Sequence, residues 1–264
     1  MNIKWQVVLC ALALPAALWV AAPAAAQSPF DGTWKMNPSL ARLSPKPNVF
    51  YLAQGWYHCE SCNPTLVVKA DGTDQPVTGQ SYDSLSVKEQ SADTLDFAGK
   101  KGVKLMFEQT RTVSKDGKML SVKIKTHYPD SDQVVESEST AKLVGAKPSG
   151  VHAVSGNWQI VKIQESANGE TMTLKMNGDE LTMSEPTGVG FTAKLDGTSA
   201  PMKGSFNYDS VSVKKLDDSS IEETESRGGQ AINVVKWTVK GKILTEEATN
   251  KQTDRTSTYT WAKQ

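Results

Sequence analysis

Residues 69–87 read "KADGTDQPVTGQSYDSLSV", and residues 194–213 read "KLDGTSAPMKGSFNYDSVSV". Apart from one inserted residue, both stretches carry Asp-Gly-Thr, a Pro, a Gly, Tyr-Asp-Ser and an alternating apolar pair in the same order. Equivalent residues are separated by about 125 positions, which is the signature of an internal repeat. The chain is therefore predicted to contain two copies of one folding unit.

Two more pairs of segments extend the repeat in both directions. Upstream, "FDGTWK" at residues 30–35 matches "VSGNWQ" at residues 154–159. Downstream, "TRTVSKDGKMLS" at residues 110–121 matches "KWTVKGKILT" at residues 236–245. Three matches in one order and at one spacing are difficult to obtain by chance, so the repeat covers most of the chain.

The matches place the first unit at residues 29–144 and the second at residues 155–264. Residues 145–154, within "GAKPSGVHAVSG", are rich in Gly, Pro and small residues, which is typical of a linker. Because this linker is short, we expect the two units to touch.

Within each unit the apolar residues recur at every second position, as a half-buried strand requires. The pattern is clearest at Leu85 and Val87, at Leu120, Val122 and Ile124, at Met172, Leu174 and Met176, and at Val189, Phe191, Ala193 and Leu195. Turn dipeptides such as Asn-Gly and Asp-Gly separate these segments. The pattern predicts an all-β chain of two tandem antiparallel meander barrels with about eight strands each. A barrel of that size is either filled by side chains or holds one small ligand.

The N-terminal segment has the composition of a secretory signal peptide. Lys4 precedes an apolar stretch at residues 7–22, and Ala24-x-Ala26 follows as a small-residue cleavage site. We expect cleavage after residue 26 and a periplasmic or secreted protein with no membrane span after cleavage. An uncleaved membrane anchor is the alternative.

The charge balance argues against a nucleic-acid partner. The chain has 29 basic and 29 acidic residues, and removal of Lys4 with the signal leaves a net charge of −1. Nucleic-acid-binding domains usually carry a clear basic excess. The composition gives no indication of the oligomeric state.

The stretch "GWYHCESCNP" at residues 55–64 holds the two cysteines that remain after signal cleavage. In an oxidising compartment Cys59 and Cys62 are expected to form a local disulfide. A thioredoxin-like centre would need the first Cys at a helix N-terminus, whereas strands flank this segment. A metal site would use His58 as well, but neighbouring residues of a strand point to opposite faces.

The sequence predicts no catalytic, cofactor-binding or metal-binding set. The three histidines, His58, His127 and His152, all precede the second unit, so a mechanism common to both copies cannot use them. "SYDS" at residues 81–84 and its copy at 207–210 are interpreted as turns whose Asp accepts backbone N–H groups. The acidic residues Glu222, Glu223 and Glu225 are interpreted as a solvated strand end.

Four aromatic residues lie close together in one predicted hairpin, namely Phe50, Tyr51, Trp56 and Tyr57. They are candidates for the mouth of a ligand cavity, and the alternative is that they fill the core.

The openings "GTWK" (residues 32–35) and "GNWQ" (residues 156–159) resemble the Gly-x-Trp that begins the first strand of lipocalins and related calycin barrels. The later motifs "DGTDQPVTG" and "RTVSKDGK" are similar to those of uncharacterised bacterial exported proteins of lipocalin-like type. The resemblance implies that Trp34 and Trp158 close one end of each barrel. It also implies a basic residue over each Trp, for which Lys142, Arg255 and Lys263 are candidates.

These observations favour a non-enzymatic protein that binds a small, hydrophobic ligand in one or both barrels, without a cofactor. An envelope structural or interaction module with filled barrels is the first alternative. A redox or metal-binding protein that uses Cys59 and Cys62 is the second.

Overall fold

The computed structural model describes residues 28–264, so the predicted signal peptide at residues 1–26 lies outside the described part. The described chain is almost entirely β-structure, with a single 3₁₀ turn at Pro38–Leu40. Among these residues we find no helix with the length and apolar character needed to cross a bilayer.

Twenty strands follow one another along the described chain. The first ten are β1 Gly32–Met36, β2 Asn48–Ala53, β3 Trp56–Cys59, β4 Leu66–Lys69, β5 Gln75–Pro76, β6 Ser84–Ser91, β7 Thr94–Lys101, β8 Lys104–Val113, β9 Met119–Tyr128 and β10 Ser131–Leu143. The other ten are β11 Gly156–Glu165, β12 Thr171–Asn177, β13 Glu180–Ser184, β14 Gly190–Lys194, β15 Asp196–Pro201, β16 Ser210–Lys215, β17 Ser220–Arg227, β18 Gln230–Lys240, β19 Ile243–Asn250 and β20 Arg255–Lys263.

The strands form two nearly closed antiparallel sheets of ten strands each, ordered β4-β3-β2-β11-β10-β9-β8-β7-β6-β5 and β14-β13-β12-β1-β20-β19-β18-β17-β16-β15. Isolated bridges bring the two sides of each sheet together, from Asp71 after β4 to Lys88 of β6 and from Gly190 of β14 to Lys203 after β15. The all-β barrel-like architecture is confirmed, but the predicted number of about eight strands is wrong. Short strands such as Gln75–Pro76 carry too few residues to show a period of two.

The first strand of each repeat lies in the sheet of the other repeat. Strand β1 pairs with β12 and β20, and strand β11 pairs with β2 and β10. We name the sheet of β2–β11 barrel A and the sheet of β1 with β12–β20 barrel B. Barrel A is thus one continuous segment, residues 48–165, inserted between the first and second strands of barrel B. The repeat boundaries at 144 and 155 describe the sequence, whereas the sheets are assembled across them.

The tryptophans of the two Gly-x-Trp strands have equivalent environments in spite of this exchange. Trp34 is 0% exposed in barrel B and Trp158 is 1% exposed in barrel A. Each indole Nε1 donates a 2.8 Å hydrogen bond to the carbonyl oxygen four residues earlier, on Phe30 and Val154 respectively. Each tryptophan is therefore buried in the barrel that holds most strands of the other repeat, as the strand exchange requires, and its role in closing one end of that barrel stays a prediction.

The first position of Gly-x-Trp requires glycine for two reasons, its backbone conformation and the close approach of a neighbouring side chain. Gly32 and Gly156 have φ values of +132° and +150°, a region that side chains rarely adopt. A Cβ at Gly32 would lie 2.7 Å from Lys263 Cε, and one at Gly156 would lie 2.7 Å from Leu143 Cδ1. The last strand of each repeat, β10 or β20, thus packs directly over the opening of a Gly-x-Trp strand.

One of the three candidate basic residues lies over a tryptophan. Lys263 Nζ is 5.3 Å from the centre of the Trp34 ring, within the range of a cation–π contact. Lys142 is exposed, and its neighbour Leu143 packs near Trp158 instead. Arg255 donates to the carbonyl oxygen of Pro47 and so anchors the segment between β1 and β2.

Each barrel has its own apolar core, and the inward residues are the alternating ones that the sequence predicts. In barrel A these include Leu85, Val87, Leu95, Phe97 and Leu120, and in barrel B they include Met172, Leu174, Phe191, Ala193 and Val213. The segment from residue 37 to 47 crosses from barrel B to barrel A and stays close to β20. Its contacts include the bridge from Arg42 to Thr258 and a 3.1 Å bond from the Ser44 amide to Ser257 Oγ.

Candidate functional site

Cys59 and Cys62 form the predicted disulfide, with their sulfurs 2.05 Å apart. Cys59 ends strand β3 with its side chain in the core of barrel A, and Cys62 packs against that core from the following turn. His58 lies on the opposite face of the strand, where its ring stacks on Tyr51 at 4.4 Å. Both sulfurs are therefore used in a local bond at a strand end.

The aromatic hairpin is divided between the two faces of its sheet. Phe50 and Tyr57 are buried in barrel A. Tyr51 lies on the outer face beside His58, and Trp56 is 47% exposed there. The hypothesis that all four residues line one cavity mouth is therefore wrong for Tyr51 and Trp56, because neighbouring strand residues alternate between faces.

The Tyr-Asp-Ser motifs have the predicted structural role. Asp83 accepts from the Gly102 amide at 2.8 Å, and Asp209 accepts from the Gly228 amide at 2.6 Å. Asp83 thus holds the turn between β7 and β8, and Asp209 holds the turn between β17 and β18. The tyrosines beside them, Tyr82 and Tyr208, pack against the cores of barrels A and B.

A cavity of about 340 Å³ lies where the open ends of the two barrels meet, and we call it the junction cavity. Barrel A contributes the side chains of Ile124, Ser137 and Ile163, and barrel B contributes Met36, Tyr259 and Trp261. Four glutamates also line it, namely Glu138, Glu165, Glu185 and Glu246. The volume lies at the lower end of the range typical of small-molecule sites.

Five glutamates, which we call the carboxylate cluster, lie in and beside the junction cavity. Glu223 and Glu225 point inward from β17, Glu246 points inward from β19, Glu185 follows β13, and Glu165 ends β11. Four of them belong to barrel B, and only Glu165 comes from barrel A. The site is thus assembled from segments that are far apart in the sequence.

Neutral donors position four of these carboxyl groups. Trp237 Nε1 donates to Glu223 at 3.0 Å, and Trp261 Nε1 donates to Glu246 at 2.8 Å. Asn233 donates to Glu225 at 3.0 Å, and Thr187 Oγ1 donates to Glu185 at 2.9 Å. These bonds fix the side chains without supplying positive charge.

No lysine, arginine or histidine in residues 28–264 forms an ion pair with the cluster. Burial, reinforced by the carboxyl groups of Glu225 and Glu185, raises the pKa of Glu246 to about 7. Burial likewise raises the pKa of Glu165 and of Glu185 to about 7 and that of Glu223 well above its ordinary value. Because an unpaired buried carboxylate is costly, the cluster holds protons near neutral pH.

The interpretation of Glu222, Glu223 and Glu225 as a solvated strand end is wrong for two of the three. Glu222 is exposed, but Glu223 is only 4% exposed and Glu225 shares its face. The missed signal is the period of two in "SIEETESR", which puts Glu223 and Glu225 on the buried face of Ile221. Acidic residues on an apolar strand face indicate a functional or strained position rather than a solvated one.

Within the described part of the chain, no three Asp, Glu, His or Cys side chains come together in a way that could hold a metal ion. The carboxyl groups instead surround a space that is partly apolar and partly aromatic.

A larger recess, an open groove of about 790 Å³, lies on the outer face of β8–β11. Lysines and glutamates alternate across it, and Lys125 Nζ lies 3.2 Å from Glu136 Oε1. Such cross-strand pairs are expected on a solvated sheet face. The junction cavity is the stronger candidate, because its charged groups have no partner of opposite sign.

Comparisons with protein-family models, curated proteins and solved structures find no match to this chain.

The cluster gives stability a characteristic dependence on pH. A pKa of about 7 for Glu246 against an ordinary value of 4.5 means that the folded state binds the proton more tightly. The contribution of protonated Glu246 to the free energy of unfolding is therefore complete below pH 4.5 and is lost as the pH rises through 7. The shift corresponds to about 3 kcal/mol. We expect Glu246→Gln to raise the free energy of unfolding by about that amount at pH 8 and hardly at all at pH 4.5.

Chemical denaturation at both pH values measures this effect. Glu247→Gln is the matched control, because Glu247 is exposed on the same strand. If Glu246→Gln and Glu247→Gln changed stability equally at pH 8, the buried, protonated state of Glu246 would be refuted.

Proposed function

We propose that this protein is an exported, non-enzymatic binding protein and that its ligand is a small molecule with an apolar body and a cationic group. The observation that carries the proposal is the junction cavity, which has apolar and aromatic walls and carboxyl groups without ion-pair partners among the described residues. The predicted signal peptide and the resemblance to lipocalin-like barrels support export and ligand binding.

The walls of the cavity match the apolar part of such a ligand. Met36, Ile124 and Ile163 supply aliphatic surface, and Trp261 and Tyr259 supply aromatic rings. Aromatic faces attract organic cations as well as apolar groups. The interiors of both barrels are filled in part by Trp34, Trp158 and their neighbours, so the ligand must be small.

The carboxylate cluster matches the cationic part. An ammonium group placed among Glu165, Glu185 and Glu246 would favour their ionised forms, which burial otherwise disfavours. Binding of the cation is then coupled to release of protons from these carboxyl groups. The affinity for a cationic ligand should therefore increase from pH 6 to pH 8, whereas the affinity for an uncharged ligand should not.

Titration calorimetry with hexyltrimethylammonium and with hexanol tests the proposal. We expect the cation to bind more tightly than the alcohol, by about tenfold or more at pH 8, and to release protons into the buffer. The double variant Glu185→Gln/Glu246→Gln should remove this preference, and Glu247→Gln should retain it.

Two results would contradict the proposal. Equal affinity for hexanol and the cation would show that the carboxyl groups do not recognise charge. Failure of both compounds to bind the folded protein at either pH would favour the alternative of an envelope structural module with filled barrels.

A further inference from the structure

Barrel A carries a half-buried cation among its aromatic side chains. Arg111 points inward from β8, and its guanidinium carbon lies 4.3 Å from the ring centre of Phe50 and 4.4 Å from that of Phe97. At the equivalent place of the repeat, barrel B has Trp237, which is buried. The fold therefore does not require an arginine at this position.

The guanidinium is held firmly but is not neutralised. Arg111 Nη1 donates to Tyr57 OH at 2.8 Å, and Arg111 Nε donates to Gln109 Oε1 at 2.8 Å. Among the described residues, no carboxylate forms an ion pair with Arg111, and its Nη2 has no hydrogen-bond acceptor. Both bonded partners are neutral, so no carboxylate among the described residues pairs with this half-buried charge.

A second cavity, of about 260 Å³, adjoins Gln109, the residue that accepts a hydrogen bond from Arg111 Nε. Its wall includes Phe107, Gln109 and Ile124 from barrel A, and Phe206 of barrel B helps to cover it. Gln109 connects the cavity to the arginine, because its amide oxygen accepts from Arg111 while its amide nitrogen has no partner among the described residues.

Two phenol groups extend this set of donors. Tyr57 OH accepts from Arg111 and so keeps its own proton available to a further acceptor. Tyr82 packs edge-on against Phe107 at 5.3 Å, next to the cavity. Burial raises the pKa of the Tyr82 phenol to about 12, while the positive charge of Arg111 opposes that rise.

We propose that the cavity beside Gln109 is a second site, for a small anionic amphiphile whose carboxylate is bound by Arg111 and Gln109 and whose apolar body lies beside Phe107 and Ile124, the isoleucine that it shares with the junction cavity. A guanidinium with a free nitrogen is well suited to a carboxylate, since charge-assisted bonds of this kind are stronger than neutral ones. The two cavities thus recognise ligands of opposite charge.

Binding of octanoate tests this site, with octanol and octylammonium as probes of the same chain length. We expect octanoate to bind at least about tenfold more tightly than either and to shift the side-chain amide resonance of Gln109 in NMR spectra. Arg111→Met should abolish the preference for octanoate, and Arg111→Lys, which keeps the charge, should retain part of it. Glu247→Gln should leave octanoate binding unchanged, because Glu247 is exposed on β19 and lines neither cavity.

Circular dichroism establishes that each variant is folded. The anionic site is refuted if Arg111→Met is folded and still prefers octanoate. It is also refuted if the wild-type protein binds octanol and octanoate with equal affinity. If Arg111→Met is unfolded, Arg111→Lys and Gln109→Leu decide instead, because Gln109→Leu removes the donor at the cavity wall. Unchanged octanoate affinity in both would overturn the proposal.

Discussion

A fragment of residues 46–166 is expected to fold by itself, whereas a fragment of residues 28–145, of similar length, is expected to be largely unfolded. The first contains all ten strands of barrel A, including β11 with Trp158. The second follows the sequence repeat but lacks β11. The short strand β1 is a poor substitute, because β11 pairs with β10 from Ser137 to Leu143 and β1 has only five residues.

The loss of stability expected for the fragment 28–145 can be judged from the absence of Trp158 alone. Loss of a buried Trp side chain alone costs about 3–5 kcal/mol, and a typical domain has a stability of only about 5–15 kcal/mol. Urea denaturation, followed by tryptophan fluorescence and circular dichroism, measures both fragments. A cooperative transition in 28–145 and none in 46–166 would mean that each repeat closes its own barrel, contrary to the strand exchange.

Trp158→Ala in the full chain should destabilise barrel A, although residue 158 belongs to the second repeat. The change removes a ring that is 1% exposed and should cost about 4 kcal/mol. Hydrogen exchange should become faster mainly in residues 48–143, while strands β12–β20 keep their protection. The physical reason is that Trp158 packs in the core of barrel A with Val113 and Leu120.

Trp34→Ala is the reciprocal variant. It should make hydrogen exchange faster in β12–β20, while the strands of barrel A keep their protection. Trp56→Ala is the matched control, because Trp56 is 47% exposed and its loss should change stability little. Faster exchange in β2–β10 on mutation of Trp34 would contradict the exchange of first strands.

The repeated barrels differ most in the charge of their interiors. Arg111 of barrel A corresponds to Trp237 of barrel B, and Phe97 and Val122 correspond to Glu223 and Glu246. The strands around these positions pair in the same way, as Arg111 opposite Leu95 and Trp237 opposite Ile221 show. The duplication has therefore kept one framework while the inward side chains acquired opposite charges.

Much of the fold could be predicted because it depends on local features. The period of two in segments such as Leu85–Val87 and Met172–Leu174 indicates which side chains are inward, and the structure buries all four. The proximity of Cys59 and Cys62 likewise predicted their disulfide. The candidate site was largely missed, since Glu165, Glu185 and Glu246 come from three distant segments and approach one another only when both barrels have formed.

Local sequence patterns are enough to predict a duplicated, all-β protein with two Gly-x-Trp strands, because periodicity and turn residues act over a few positions. The barrel that each Gly-x-Trp strand completes is visible only in the pairing of strands that are distant in sequence. Strands β1 and β11 share the same Gly and Trp and so present similar pairing edges to either sheet, and their own residues do not specify the partner. The charge of each interior was decided in the same way, because whether Glu223 or Arg111 is buried depends on closure of a sheet whose strands are distant in sequence.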